Sequence, residues 1–298
     1  EESEDAACLK LYDGHDWKWF RAGLLHTDME YLRRHWSGKK SSAPVLEKRH
    51  QKYFLRFSYT EEVTLSKTPV KDQLICSVDL GINTDAVCSI MRSDGTVLDR
   101  KFINFPSEKD RLSHVLGRIR RFQKEHSSKQ IGSRWAYAKR LNTELARKTA
   151  RSIAEYAHEN HADVIVFEYL EMKGKISGKK RQKLHLWKKR EIQTMCEHKA
   201  HRYGIRVSRV CAWNTSRLAY DGSGPVSRDP KNHSLCVFQS GKQYNCDLSA
   251  SYNIGARYWI REIIKTLPET ERSSLEAKVP AVKRRTSCVY ADLLIIQN

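Results

Sequence analysis

The chain has 298 residues, 40% of them hydrophobic, and a formal net charge of +19. That length holds one large domain or two ordinary ones with a real core. The charge points to a polyanionic partner, nucleic acid or an anionic membrane, and no apolar run is long enough to span a bilayer, which speaks against a membrane-spanning chain.

No signal peptide is visible, and a start at Glu1 rather than Met is expected of either a fragment or a trimmed chain. The 8 cysteines, Cys8, Cys76, Cys88, Cys196, Cys211, Cys236, Cys246 and Cys288, make no C-x-x-C pair. Reduced, mostly buried thiols of a cytosolic protein are expected, not a disulfide framework.

Residues 1–70 read as the end of a small β domain. Trp17, Trp19 and Phe20 cluster, and Lys52-Tyr53-Phe54-Leu55-Arg56-Phe57 alternates partially, as a strand does. Residues 37–44 read as a loop. From Leu74 the pattern predicts strands over 74–79, 86–91 and 97–103, the last two joined by the hairpin signal Asp94-Gly95. Leu112, Val115, Leu116, Ile119 and Phe122 recur at helical spacing, and a second helix is predicted over about 135–160. Val164-Ile165-Val166-Phe167 is apolar without alternation, as a central parallel strand buried on both faces is. A basic run over 173–190 leads into a helix through Ile192, Met195 and Lys199, then a strand at 205–210. Residues 212–245 form a loop-rich insert, and a helix follows over about 248–264. The order suits an RNase H-like α/β domain.

Three acids sit at the edges of these segments: Asp79, Glu168 and Asp247. Taken singly, Asp79 reads as a turn residue, Glu168 as a solvated strand end and Asp247 as a helix N-cap. Together, in a basic chain, they suit metal-assisted phosphodiester hydrolysis. Two ions about 3.5–4 Å apart activate water and stabilise the leaving oxygen, and Mg²⁺ takes carboxylates, water and phosphate oxygens. Close carboxylates raise one another's pKa, so a cation is needed to hold all three ionised.

Asp79-Leu80-Gly81-Ile82-Asn83 resembles the first RuvC motif of TnpB-type transposon nucleases and type V CRISPR effectors. Phe167-Glu168-Tyr169-Leu170 resembles the second. Asp247-Leu248-Ser249-Ala250-Ser251-Tyr252-Asn253-Ile254 resembles the third. The resemblance covers residues 74–264. It implies an α/β fold: an RNase H-like (RuvC) domain with helical insertions over 71–211 and 246–298. Before it, residues 1–70 stand as the C-terminal part of a β-rich, wedge-like (oligonucleotide-binding-like) domain, the N-terminal recognition region being absent or reduced. It also implies Mg²⁺, or Mn²⁺ in its place, on Asp79, Glu168 and Asp247, and RNA-guided cleavage of DNA in a prokaryotic cytoplasm, at the nucleoid. Guide RNA and target DNA are the expected partners, with no membrane. Candidate nucleic-acid contacts are Arg118, Arg121, Lys179, Lys180, Arg181, Lys188, Lys189 and Arg257. Trp135, Tyr137 and Trp187 are candidates for base stacking or core packing.

The insert at 212–245 stands where the family carries a zinc ribbon with two C-x-x-C pairs. Ala219, Gly222 and Gln239 occupy three of those positions and Cys236 the fourth. The ribbon is thus degenerate and zinc is not expected, a rearranged site on Cys211, His233, Cys236 and Cys246 being the alternative. Two other functions stay open: a catalytically silent RNA-guided DNA-binding protein, and a stand-alone RuvC-type junction resolvase.

Overall fold

The computed structural model describes residues 5–49, 51–125, 131–169, 186–229, 232, 234–278 and 286–297. The chain divides into two units, Glu1–Val63 and Thr64–Asn298.

In the first unit, β1 (Ala6–Tyr12) pairs antiparallel with β2 (Trp17–Gly23). The turn between them closes on the Asp13 carboxylate, which accepts from the N–H groups of His15 and Asp16 at 2.9 and 2.8 Å. A helix, α1 (His26–Trp36), follows. Sequence patterning does not foretell it, because it buries no residue. Contacts distant in sequence hold it: Asp5 pairs with His26 and Arg33, and Trp36 stacks on Tyr59 with ring centroids 5.2 Å apart. Then β3 (Lys40–Ser41), β4 (Val45–Arg49), β5 (Lys52–Arg56) and β6 (Tyr59–Thr60) form two further pairs, β3 with β6 and β4 with β5.

The second unit begins at Thr64, seven residues before the expected start at 71. The reason is Asp163. Its carboxylate accepts from the Ser66 and Thr68 hydroxyls at 2.6 and 2.5 Å and from the Leu74 N–H at 2.9 Å. The segment from Thr64 is thereby tied to the sheet. That sheet has β7 (Leu74–Asp79), β8 (Ala86–Arg92) and β9 (Val97–Ile103) as an antiparallel meander. Helices α2 (Pro106–Glu125) and α3 (Gly132–Glu159) lead to β10 (Val164–Tyr169), which lies parallel to β7. Helix α4 (Lys189–Arg202) leads to β11 (Arg206–Cys211), parallel to β10, and the strand order is β11-β10-β7-β8-β9. This is the RNase H-like arrangement.

Strand parity sorts the core into two layers. Cys76, Val78, Cys88, Ile90, Ile165 and Phe167 pack with Ala150, Ile153 and Ala157 of α3 and Ile192 and Cys196 of α4. Ile75, Met91, Val164, Val166 and Val210 face the other way, onto Ile254, Tyr258 and Trp259. The insert is more ordered than a loop: β12 (Ser227–Arg228), β13 (Leu235–Val237) and β14 (Gln243–Asn245) form a small sheet. Its apolar cluster is Ala219, Cys236, Phe238 and Cys246. Helix α5 (Cys246–Thr266) carries Ile254, Tyr258 and Trp259, and α6 (Glu269–Lys278) and α7 (Ser287–Gln297) follow. Helix α7 is tied to the insert, its Cys288 N–H donating to the Tyr220 carbonyl at 3.0 Å. Among the described residues, no helix is long and apolar enough to cross a membrane.

Gly255 lets α5 seat on the sheet, since a Cβ there would contact the buried Met91 sulfur and approach Ile75 Cδ1 at 3.4 Å. Gly255→Val is expected to lower unfolding stability by about 2–3 kcal/mol through overpacking. Urea denaturation monitored by circular dichroism checks this.

Candidate active site

The register of two strands places the first two acids. In the parallel pair, Phe167 stands opposite Val78, so Glu168 and Asp79 come next on neighbouring strands, about 4.8 Å apart in backbone. Parity puts them on one face. Asp79 follows Ile75 and Ser77, Glu168 follows Val164 and Val166, and Ile75, Val164 and Val166 all pack under α5. Both carboxylates therefore leave the carboxyl ends of β7 and β10 on the α5 side. At this point the neighbours of β7 change from antiparallel to parallel, an opening where α/β sheets take ligands.

The third acid arrives with α5. Asn245, not Asp247, caps that helix: its side-chain oxygen accepts from the N–H groups of Asp247 and Leu248 at 3.0 and 2.9 Å. Asp247 is thus released from capping and stands in the first turn, where the helix dipole favours a negative charge. Asp79, Glu168 and Asp247 line one open cleft of about 450 Å³, together with Asn83, Thr215, Ser216 and Arg228.

Burial and mutual repulsion dominate the electrostatics. Burial, then the charges of Glu168 and Asp247, push the Asp79 carboxyl well above its ordinary 3.8, while Arg228 opposes the rise. Burial raises Glu168, opposed by the Thr215 hydroxyl and by Arg257. Burial raises Asp247, again opposed by Arg228.

A supporting network fixes the walls. The Thr215 hydroxyl donates to the Glu168 carboxylate. Asn253, fully buried on α5, donates to the carbonyls of Thr215 and Leu218 at 3.1 and 2.9 Å and accepts from the Ser287 N–H at 3.1 Å. The motif asparagine thus anchors the start of the insert, and through it the partner of Glu168. Gln193 donates to the Glu168 carbonyl at 2.8 Å. On the other wall, Lys109 donates to the Asn83 carbonyl at 2.5 Å and pairs with Asp85 at 3.0 Å. Gly81 is required there, because a Cβ would stand 2.5 Å from the Thr84 carbonyl oxygen.

Among the described residues, no three acidic, cysteine or histidine side chains close on one point as a formed metal shell. The donor chemistry of the cleft nevertheless fits a hard divalent cation. Three carboxylates line it, and their pKa values are raised by burial and, at Asp79, by one another's charge, a condition that a cation relieves. The insert does not fit a four-thiolate zinc site. Ala219 offers no ligand and is packed with Cys236, Phe238 and Cys246, Gly222 lies against Cys288, and Gln239 lies against Gly224.

The nucleic-acid candidates separate. Arg118 and Arg121 are exposed on α2. Lys188 donates to the Thr143 hydroxyl at 2.8 Å and pairs with Glu191, and Lys189 lies 5.5 Å over the Trp187 ring. Lys179, Lys180 and Arg181 lie outside the described residues, as does His233. Arg257 does not reach a surface phosphate position. It is 4% exposed and donates to the carbonyls of Cys211 and Trp213 at 2.5 and 2.6 Å, so its charge acts on Glu168 from behind. Arg228 is the residue that sequence reading passes over. It sits on a two-residue strand of the insert, with no motif around it, and only the fold brings it to the acids.

The fold is that of an RNase H-like domain, with three acids lining one cleft at the carboxyl ends of its central strands. Residues 190–254 match the family model described as Cas12f1-like, TNB domain. The chain is 28% identical over 204 residues to TnpB-like protein ORF457 of Acidianus two-tailed virus, covering 62% of this chain and 42% of that protein. It is 25% identical over 247 residues to TnpB-like protein aq_aa05 of Aquifex aeolicus (strain VF5), covering 75% of this chain and 79% of that one. The solved mini-RNA-guided endonuclease CRISPR-Cas_phi3 shares the fold at a TM-score of 0.56 and 13% identity, covering 85% of this chain and 58% of that one. The chain thus spans less than half of the first curated relative. These findings support a TnpB/type V effector family for it.

A carboxyl whose folded pKa is raised is favoured when protonated. Without cation, stability is expected to fall as pH rises from about 4 through the raised values of Asp79, Glu168 and Asp247. Added Mg²⁺ is expected to restore it, increasingly so toward pH 8. Asp79→Asn is expected to raise the cation-free melting temperature at pH 8 and to reduce the response to Mg²⁺. Differential scanning calorimetry across pH, with and without Mg²⁺, measures both effects.

Proposed function

We propose that this chain carries the nuclease centre of an RNA-guided DNA endonuclease and hydrolyses phosphodiester bonds with Mg²⁺. One observation carries the reading: three motif acids from β7, β10 and α5 line a single open cleft in a chain of net charge +19. The TnpB-like relatives and the RNase H-like fold support it.

Asp79 and Asp247 would hold the cation, which when bound would supply water activation and charge stabilisation at the leaving oxygen. Glu168, held by Thr215, would take a second ion or orient the attacking water through its carboxylate oxygens. Arg228, exposed at the cleft rim, places positive charge where the scissile phosphate gains negative charge. Asn253 and Arg257 act only by position, holding the strand-end loops that carry these groups. Guide RNA pairs with target DNA, and the protein meets the resulting duplex through its backbone.

Asp79→Ala is expected to lower Mg²⁺-dependent DNA cleavage by about a thousandfold or more while nucleic-acid binding persists. Arg228→Ala is expected to lower it about a hundredfold, again with binding retained. Gel-based cleavage and filter-binding assays on the protein with its co-purified RNA measure both. Full cleavage by Asp79→Ala overturns the assignment, and an unmodified protein that binds but never cuts identifies a silent DNA-binding relative.

A further inference from the structure

The β1–β2 hairpin of the first unit has its aromatic side facing solvent. Cross-strand partners in the register share a face, so one face carries Tyr12 with Trp17, Lys10 with Trp19, and Cys8 with Arg21. Every one of these residues is exposed, with Tyr12 at 58%, Trp17 at 59% and Trp19 at 70%. The opposite face carries Leu9 and Leu11, which are half-buried, with the exposed Phe20 and Lys18 across from them. The hairpin therefore spends its aliphatic residues on packing and leaves its large rings in water. Scattered exposed apolar residues are ordinary, but three aromatic rings gathered on one face of one hairpin mark a contact surface.

Charge decides what that surface meets. The two ionic residues on the aromatic face are both cations, Lys10 and Arg21, and neither has a carboxylate partner among the described contacts. The acids at the adjoining turn are engaged: Asp13 pairs with Lys18 at 2.6 Å, and Asp16 accepts from the Trp17 N–H at 2.7 Å. Trp17 and Trp19, two residues apart on one strand, stand about 7 Å apart in backbone, room for a planar ring to lie on or between them. Flat rings flanked by uncompensated cations suit unpaired bases with their phosphates. Each stacked base is worth about 1–3 kcal/mol, whatever its sequence.

We propose that this hairpin face is a stacking platform for unpaired nucleotides, with Tyr12, Trp17 and Trp19 receiving bases and Lys10 and Arg21 receiving phosphates. Binding there does not require cleavage.

The test uses the full chain and three labelled probes at fixed salt: oligo-dT, oligo-U and a short DNA duplex, each read by fluorescence anisotropy. The Trp17→Ala/Trp19→Ala double variant is expected to bind single strands about tenfold or more weakly, with duplex binding unchanged. The Trp17→Phe/Trp19→Phe variant is expected to regain most of that loss, which separates ring stacking from misfolding. Loss with oligo-U alone identifies RNA as the natural strand, and loss with oligo-dT alone identifies DNA. Unchanged single-strand affinity in the alanine variant overturns the proposal. So does an alanine variant that alters only self-association in sedimentation, which would make the face a protein contact.

Discussion

The pairing of β7 with β10 is the constraint on which the rest of the larger unit depends. It sets Asp79 and Glu168 on adjacent strand ends and, by parity, on one face. Two carboxylates so placed repel, and burial adds to that cost. Several surrounding features offset it. Asn245 caps α5 so that Asp247 remains free, Thr215 donates to Glu168, and the charges of Arg257 and Arg228 oppose the rise in carboxyl pKa. The fold thus holds a concentration of negative charge that is unfavourable alone and suited to a cation.

The insert and α5 behave as one part in this respect. Asn253 spans from α5 to the start of the insert and to α7, and the insert returns Arg228 to the cleft. An apolar cluster and the contact with α7 hold this module where the resembling family uses thiolates. The route from Asn253 through Thr215 to Glu168 runs without a thiolate, because none of its hydrogen bonds involves a cysteine.

The charged surface has no single role. Arg118 and Arg121 stay in solvent, whereas Lys188 and Lys189 are partly engaged by Glu191 and Trp187. Arg257 shows the hazard of reading function from charge: a helix position downstream of the third acid looked available to phosphate, yet its guanidinium is taken up by backbone carbonyls. The first unit differs in kind. Its helix is held by ion pairs and a ring stack, and its β1–β2 hairpin keeps aromatic rings in solvent.

What the sequence by itself determined was local and periodic. Alternation, unbroken apolar runs and the Asp94-Gly95 turn located β7, β8, β9 and β10 and the long helices, and three motifs named the acids. These signals survive in one dimension because each depends on residues a few positions apart. The tertiary structure alone decided the rest. The α1 helix, the domain edge at Val63, the inward turn of Arg257 and the approach of Arg228 all rest on contacts between residues far apart in the chain. No local pattern encodes those, since they exist only after strand pairing has brought the segments together.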